Sequence, residues 1–352
     1  MSNWRNWLYV AFAAFLAATC FFRPVSGDFD RYVYEALVRG RYERVERIYP
    51  IVKHASPRAE ASSVLDSAEH LAGLEPLYAI RPLYTEIITA FSLVLPIQKS
   101  INLVSALSLF GIALMLIAWA RAMPLYCALL ISTGGIVDAG RMGTPDALSA
   151  LFVIVGFWLL ERDQISHAIL ILLASIWVRT DNVLVVLALL VWLTLTKRIR
   201  LLYAILLATI SAATVGFINQ MAGNYGWLVL FRYSFIAGKY PAEIASHLTA
   251  QEYFVVATRG AMFLIPQLAF WVLLGLAAWA RRPEERARLL TVALAAGAHF
   301  LLFPSPEGRY FVWAYLIVGI AFIQAAARVS RPSKHLETLY RRNIPSPVEA
   351  AS

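Results

Sequence analysis

Five short segments carry most of this chain's candidate chemistry. They are Gly27-Asp28-Phe29-Asp30-Arg31-Tyr32, Ile80-Arg81-Pro82-Leu83-Tyr84, the stretch from Asp138 through Arg141 and Thr144 to Asp146, Arg179-Thr180-Asp181-Asn182, and Pro306-Glu307-Gly308-Arg309-Tyr310. Carboxylates serve as general acids and bases, and arginine forks bind anions through paired hydrogen bonds. Each segment also has a structural alternative. Asp28 and Asp30 can cap a helix that starts near Arg31, Thr144-Pro145-Asp146 is a good helix start with Thr144 as N-cap, and Asp181 can cap the run that follows it. Arg179 and Arg309 can snorkel toward lipid headgroups. Asp28-Phe29-Asp30 has the D-x-D form that can hold a divalent cation, although two carboxylates alone do not establish one. The six histidines form no H-x-x-x-H or H-x-x-E-H pair, and His299 reads as a packed core histidine. The absence of G-x-S-x-G, G-x-x-x-x-G-K-S/T and G-x-G-x-x-G argues against a serine hydrolase, a nucleotide-driven pump and a dinucleotide enzyme.

The elements that must position these segments are apolar runs. Of the 352 residues, 60% are hydrophobic and 15% charged, against about 25% charged in soluble domains. A spanning helix needs about 20 residues at about 1.5 Å each, and ten candidate runs emerge: 7–22, 101–120, 125–137, 147–160, 165–178, 183–196, 201–218, 260–280, 289–303 and 310–327. Cytoplasmic loops carry the lysine and arginine excess. With the N-terminus inside, the inner loops hold Arg5, Arg121, Arg162, Lys197, Arg198, Arg200, Arg281, Arg282, Arg286 and Arg288, whereas the short outer loops hold only Arg141, Arg179 and Arg309. Both termini are therefore expected inside and all five chemical segments outside. A crossing at Leu83–Leu95 would reverse that bias, so this run is expected to be an interfacial helix. The net charge of +9 falls mainly beside apolar runs, where it meets lipid phosphates or orients helices, which sets nucleic acid aside. Cys20 and Cys127 each lie in an apolar run, so they form neither a disulfide framework nor a zinc site.

The expected fold is an all-α polytopic transmembrane bundle, one domain over residues 1–328 with a basic, disordered cytoplasmic tail at 329–352. Two outer segments are large. Residues 23–100 are expected to contain helices over 31–47 and 62–72, and residues 219–259 read as a mobile loop.

In their order along the chain, these segments resemble the GT-C glycosyltransferases, in particular the branch containing the protein O-mannosyltransferases and the lipid A aminoarabinose transferases. Asp28-Phe29-Asp30-Arg31-Tyr32 is similar to that branch's acidic pair after the first span, with Phe29 where a glutamate is frequent. Arg81-Pro82-Leu83-Tyr84 resembles its basic residue before a proline-led interfacial helix, with arginine in place of the usual lysine. Thr144 to Leu148 matches its Thr-Pro-Asp-Ala-Leu segment, and Arg309-Tyr310 its late Arg-Tyr pair. The resemblance implies a GT-C-like bundle with a helical periplasmic first loop, in a bacterial inner membrane. It implies a polyprenyl-phosphate-linked sugar as donor and a glycan, lipid or protein hydroxyl as acceptor. Asp28 would be the base with Asp30 beside it, and Asp146 would orient an arginine or the acceptor. Arg309 and Tyr310, with Arg81 or Arg179, would hold the donor phosphate, and Arg141, Asp138 and Asp181 would support them. No cofactor is implied beyond a possible divalent cation at Asp28 and Asp30. The non-catalytic alternative is a transporter, flippase or assembly subunit, whose charges should be spread through the membrane depth; here the mid-span positions are almost uniformly apolar.

Overall fold

Apolar runs in lipid must pair every backbone group within their own segment, which favours helices. The computed structural model describes residues 4–25, 29–55, 66–120, 123–237 and 240–329, and all regular structure among them is helical. The α-helices are α1 (Trp4–Phe22), α2 (Asp30–Arg39), α3 (Val45–Ala55), α4 (Ala68–Ala79), α5 (Pro82–Ser92), α6 (Ile97–Trp119), α7 (Pro124–Ile131), α8 (Gly134–Arg141), α9 (Asp146–Glu161), α10 (Ile165–Val178), α11 (Val183–Leu195), α12 (Leu201–Met221), α13 (Trp227–Arg232), α14 (Ala250–Arg281), α15 (Arg286–Leu302) and α16 (Val312–Val329).

Among the described residues, five helices are long and apolar enough to cross a membrane: α1, α6, α12, α14 and α16 with the turn before it. They mark the chain as a multi-pass membrane protein. The bent pair α8 and α9, at 119°, raises the number to six if it counts as one span. The expected ten is therefore met only in part, because several apolar runs fold as short helices. The 125–137 run breaks at Ser132 and Thr133, whose hydroxyls bond back to the carbonyls of Ala128 and Leu130. Helices α9, α10 and α11 have 16, 14 and 13 residues, which is about 20–24 Å of rise. Helix α5, over the Leu83–Leu95 run, has 11 residues.

Other boundaries also shift. The helix expected over 31–47 is two helices, with a turn at Gly40 between them. The helix expected over 62–72 begins at Ala68, where Ser67 caps it by accepting from the His70 amide; residues 62–65 lie outside the described residues. Helix α14 starts ten residues before the expected Gly260, because Thr249 and Glu252 form a capping box. The tail from residue 330 is also outside the described residues.

The helices leave two polar ends. One gathers paired charges: Arg288 Nη1 lies 2.7 Å from Glu161 and its Nη2 pairs with Glu285, which is also 3.0 Å from Arg282. Trp119 Nε1 donates to Glu161 at 2.5 Å, and Gln324 Nε2 donates to it at 3.3 Å. This cluster ties α6, α9, α15 and α16 together beside a second pair, Arg198–Asp163. The other end holds the five chemical segments.

Two glycines permit the close approaches that shape that second end. A methyl at Gly143 would sit 2.6 Å from Arg31 Cβ, so the loop into α9 can lie directly on α2. A methyl at Gly260 would overlap the Pro304 carbonyl oxygen, which presses α14 against the loop leading to Arg309. Backbone cannot swing aside as a side chain can. Gly260→Ala is therefore expected to destabilise by about 1–3 kcal/mol in thermal unfolding in detergent. Gly275→Ala on the same helix meets only Val318 at 3.6 Å and serves as control; equal melting of the two variants would count against the tight packing.

Candidate functional site

The chain ends of five elements meet around a cavity of about 330 Å³. Asp30 enters from the first turn of α2, Arg81 from the N-terminus of α5, and Asp146 from the start of α9. Arg179 comes from the turn after α10, and Arg309 and Tyr310 from the turn before α16. All six line the cavity. Aromatic side chains face them: Phe29, Tyr78, Tyr233, Phe235 and Phe303.

Asp30 stands in the first turn of α2; its Oδ1 accepts from Tyr78 OH at 2.5 Å, and its Oδ2 is 3.5 Å from Arg309 Nη1. Thr144 Oγ1 donates to Asp146 Oδ2 at 2.7 Å, and α9 has no side-chain cap at its N-terminus. Asp146, with its side chain 2% exposed, also pairs with Arg179 Nη1 and lies 3.7 Å from Arg309. Asp181 takes the rest of the Arg179 fork: Nε donates to Oδ1 at 3.0 Å, and Nη2 reaches Oδ2.

The three arginines differ in how far they are committed. Arg179 is gripped by two carboxylates. Arg309 pairs with Glu307 through Nε, lies near Asp30 and Asp146 through Nη1, and its Nη2 reaches Tyr310 OH at 3.3 Å. Both guanidinium groups lie over the Tyr310 ring, at 5.0 and 5.1 Å. Arg81 instead donates to Tyr34 OH at 2.7 Å and lies over Tyr78, 5.4 Å from the ring centre. No described carboxylate makes an ion pair with it. Burial works against its charge, but Tyr34, Tyr78 and Asp30 more than offset this and hold its pKa above the ordinary arginine value. Burial, with Asp30 adding to it, pushes the Tyr34 and Tyr78 phenols well above theirs.

Asp181 stands behind Arg179 and does not line the cavity. Asp138 is exposed at the end of α8, and Arg141 donates to the Arg23 carbonyl at 3.1 Å; neither reaches the cavity. Asp28 lies outside the described residues. Sequence reasoning missed Tyr34, Tyr78, Tyr233 and the neighbourhood of His299. Tyr34 had a signal, because it follows Asp30 by four residues and so shares its helix face. Tyr78 and Tyr233 had none, since only the folded chain brings them to the cavity.

The described residues contain no group of three or more histidine, cysteine or acidic side chains suited to a metal ion. The cation expected at Asp28 and Asp30 falls partly outside the described residues; Asp30 itself contacts the Tyr78 phenol and the Arg309 guanidinium, and no step below passes through a metal. No protein-family model, no curated protein and no solved structure matches the chain.

Proposed function

We propose that the protein is a GT-C type glycosyltransferase that moves a sugar from a polyprenyl-phosphate donor to an acceptor hydroxyl at the outer face of the membrane, in a ten-span bundle with both termini inside. The observation that carries this reading is the convergence of Asp30, Arg81, Asp146, Arg179, Arg309 and Tyr310, from five separate segments, on one cavity. A second feature supports it. An apolar groove of about 440 Å³ runs between α14, α15 and α16, lined by Leu268, Trp271, Leu276, Leu289, Phe300 and Tyr315 among others, and suits a prenyl chain. A bacterial inner membrane, with the cavity toward the periplasm, is the matching location.

In this mechanism Arg81 supplies the donor-phosphate contact with the least competition, and Arg309 and Arg179 form the cationic wall beside it. The acceptor oxygen bonds to the anomeric carbon as the carbon–phosphate oxygen bond breaks, and the acceptor proton passes to Asp30, or to Asp28 just ahead of it. The lipid phosphate leaves as a stable anion, so the paired carboxylic acids of glycoside hydrolysis are not needed. Aromatic faces along the opposite wall pack against the sugar and restrict water.

Purified protein incubated with short-chain polyprenyl-phosphate sugars and an acceptor mixture is expected to release free lipid phosphate; no release with any sugar of a broad panel would sink the reading. Sidedness has its own check. In a background without Cys20 and Cys127, a cysteine replacing exposed Asp138 is expected to label from outside, and one replacing exposed Asp163 only from inside. Labelling of both from one side would overturn the ten-span arrangement.

A further inference from the structure

His299, on α15, does more than fill the core. Only 5% exposed, it places Nδ1 3.5 Å from Asp181 Oδ2, the oxygen that also receives Arg179 Nη2. Its Nε2 is buried without a hydrogen-bond partner among the described residues. The ring is flanked on two sides by aromatic neighbours from the turn before α16: Tyr310 at 6.2 Å with its plane turned by 29°, and Phe311 edge-on at 5.3 Å. The charged groups facing it are Asp181 and Arg179, both from the turn between α10 and α11. A continuous line of contacts thus runs from His299 through Asp181 and Arg179 to Asp146 at the cavity wall.

We propose that His299 is a positioning residue: as a neutral ring carrying its proton on Nδ1, it holds the Asp181 carboxylate, which in turn orients the Arg179 fork toward the donor phosphate. A carboxylate gripped only by Arg179 can rotate with it. One held also from a second helix cannot, so Arg179 keeps one plane against Tyr310 and Asp146. Only the phosphate at the end of this line depends on the proposed glycosyl transfer; the coupling of His299 to Asp181 stands apart from it.

The test uses geometry that a filler would ignore. The asparagine carboxamide nitrogen overlays Nδ1, whereas glutamine reaches toward Nε2. In the full-length protein in detergent, His299→Asn is expected to bind a short-chain polyprenyl monophosphate within about 2-fold of wild type, while His299→Gln and His299→Leu lose about 10- to 150-fold, the size of one hydrogen bond to a charged group. The ring itself is read by NMR of isotope-labelled histidine, with the His299 signal assigned by its loss in His299→Asn. The expected spectrum is a neutral ring protonated on Nδ1 that shifts in Asp181→Asn. A ring protonated on Nε2, or one insensitive to Asp181→Asn, overturns the proposal. So does wild-type affinity in both His299→Gln and His299→Leu. Failure of the wild type to bind any lipid phosphate would instead remove the donor reading, and the ring spectrum would still decide the coupling to Asp181.

Discussion

Asp30→Asn is expected to lower sugar transfer about 100- to 10,000-fold, the usual contribution of a general base, while short-chain lipid phosphate still binds. The amide keeps the shape of the carboxylate and its hydrogen bond to Tyr78, so the fold and the aromatic wall are retained. What it loses is the capacity to take the acceptor proton. Asp28→Asn is the necessary companion, because the family resemblance places the leading acid there. Turnover by each variant, with lipid-phosphate affinity measured alongside, separates the two. Near-normal transfer in Asp30→Asn together with loss in Asp28→Asn would move the base back to Asp28. Near-normal transfer in both would leave Asp30 as a partner of Arg309 and Tyr78 only.

Arg81→Ala is expected to weaken lipid-phosphate binding by about 2–5 kcal/mol, the range for losing one partner of a desolvated charged contact, and by more than Arg309→Ala does. Reading the sequence alone put Arg309 first, since a guanidinium opening the last span beside Tyr310 is well placed for a phosphate. The structure surrounds Arg309 with Glu307, Asp30 and Asp146, so a phosphate must compete with three carboxylates for it. Arg81 is held by a phenol and two aromatic faces and has no such competition. Arg81→Lys should recover only part of the loss, because lysine keeps the charge but not the planar fork. Titration of the same lipid phosphate into wild type, Arg81→Ala, Arg81→Lys and Arg309→Ala decides the order, and a larger loss in Arg309→Ala would restore Arg309 to first place.

How far the chain could be read in advance follows from what its signals measure. Hydropathy measures where lipid-compatible runs lie, and those runs did become helices. It does not measure where a helix stops inside a run. Ser132 and Thr133 divide one apolar stretch, and the Thr249 and Glu252 capping box, legible in the sequence as T-x-x-E, extends another well past its apolar limit. The arginines and acids of the cavity were legible because charged residues at the ends of apolar runs are conspicuous. Their ranking was not, because it depends on partners brought from distant segments. Asp138 and Arg141 carried the same charge signal as Arg179, yet one faces solvent and the other only braces a carbonyl. His299 was read as core, and it is buried, but the carboxylate beside it comes from a turn more than one hundred residues earlier.

The length of α14 carries a mechanical consequence. Its 32 residues rise about 48 Å, but the apolar run within it, 260–280, rises only about 32 Å, close to the hydrocarbon thickness of about 30 Å, so its first ten residues extend beyond the hydrocarbon. Little of this helix is buried against the rest of the protein, so lipid rather than protein surrounds most of it. At Gly260, however, it touches the Pro304 backbone with no room for even a methyl group. A contact without slack transmits displacement instead of absorbing it. A bilayer thinner than the apolar run would tilt α14, and through this contact the tilt would reach the loop bearing Ser305, Glu307 and Arg309 at the cavity wall.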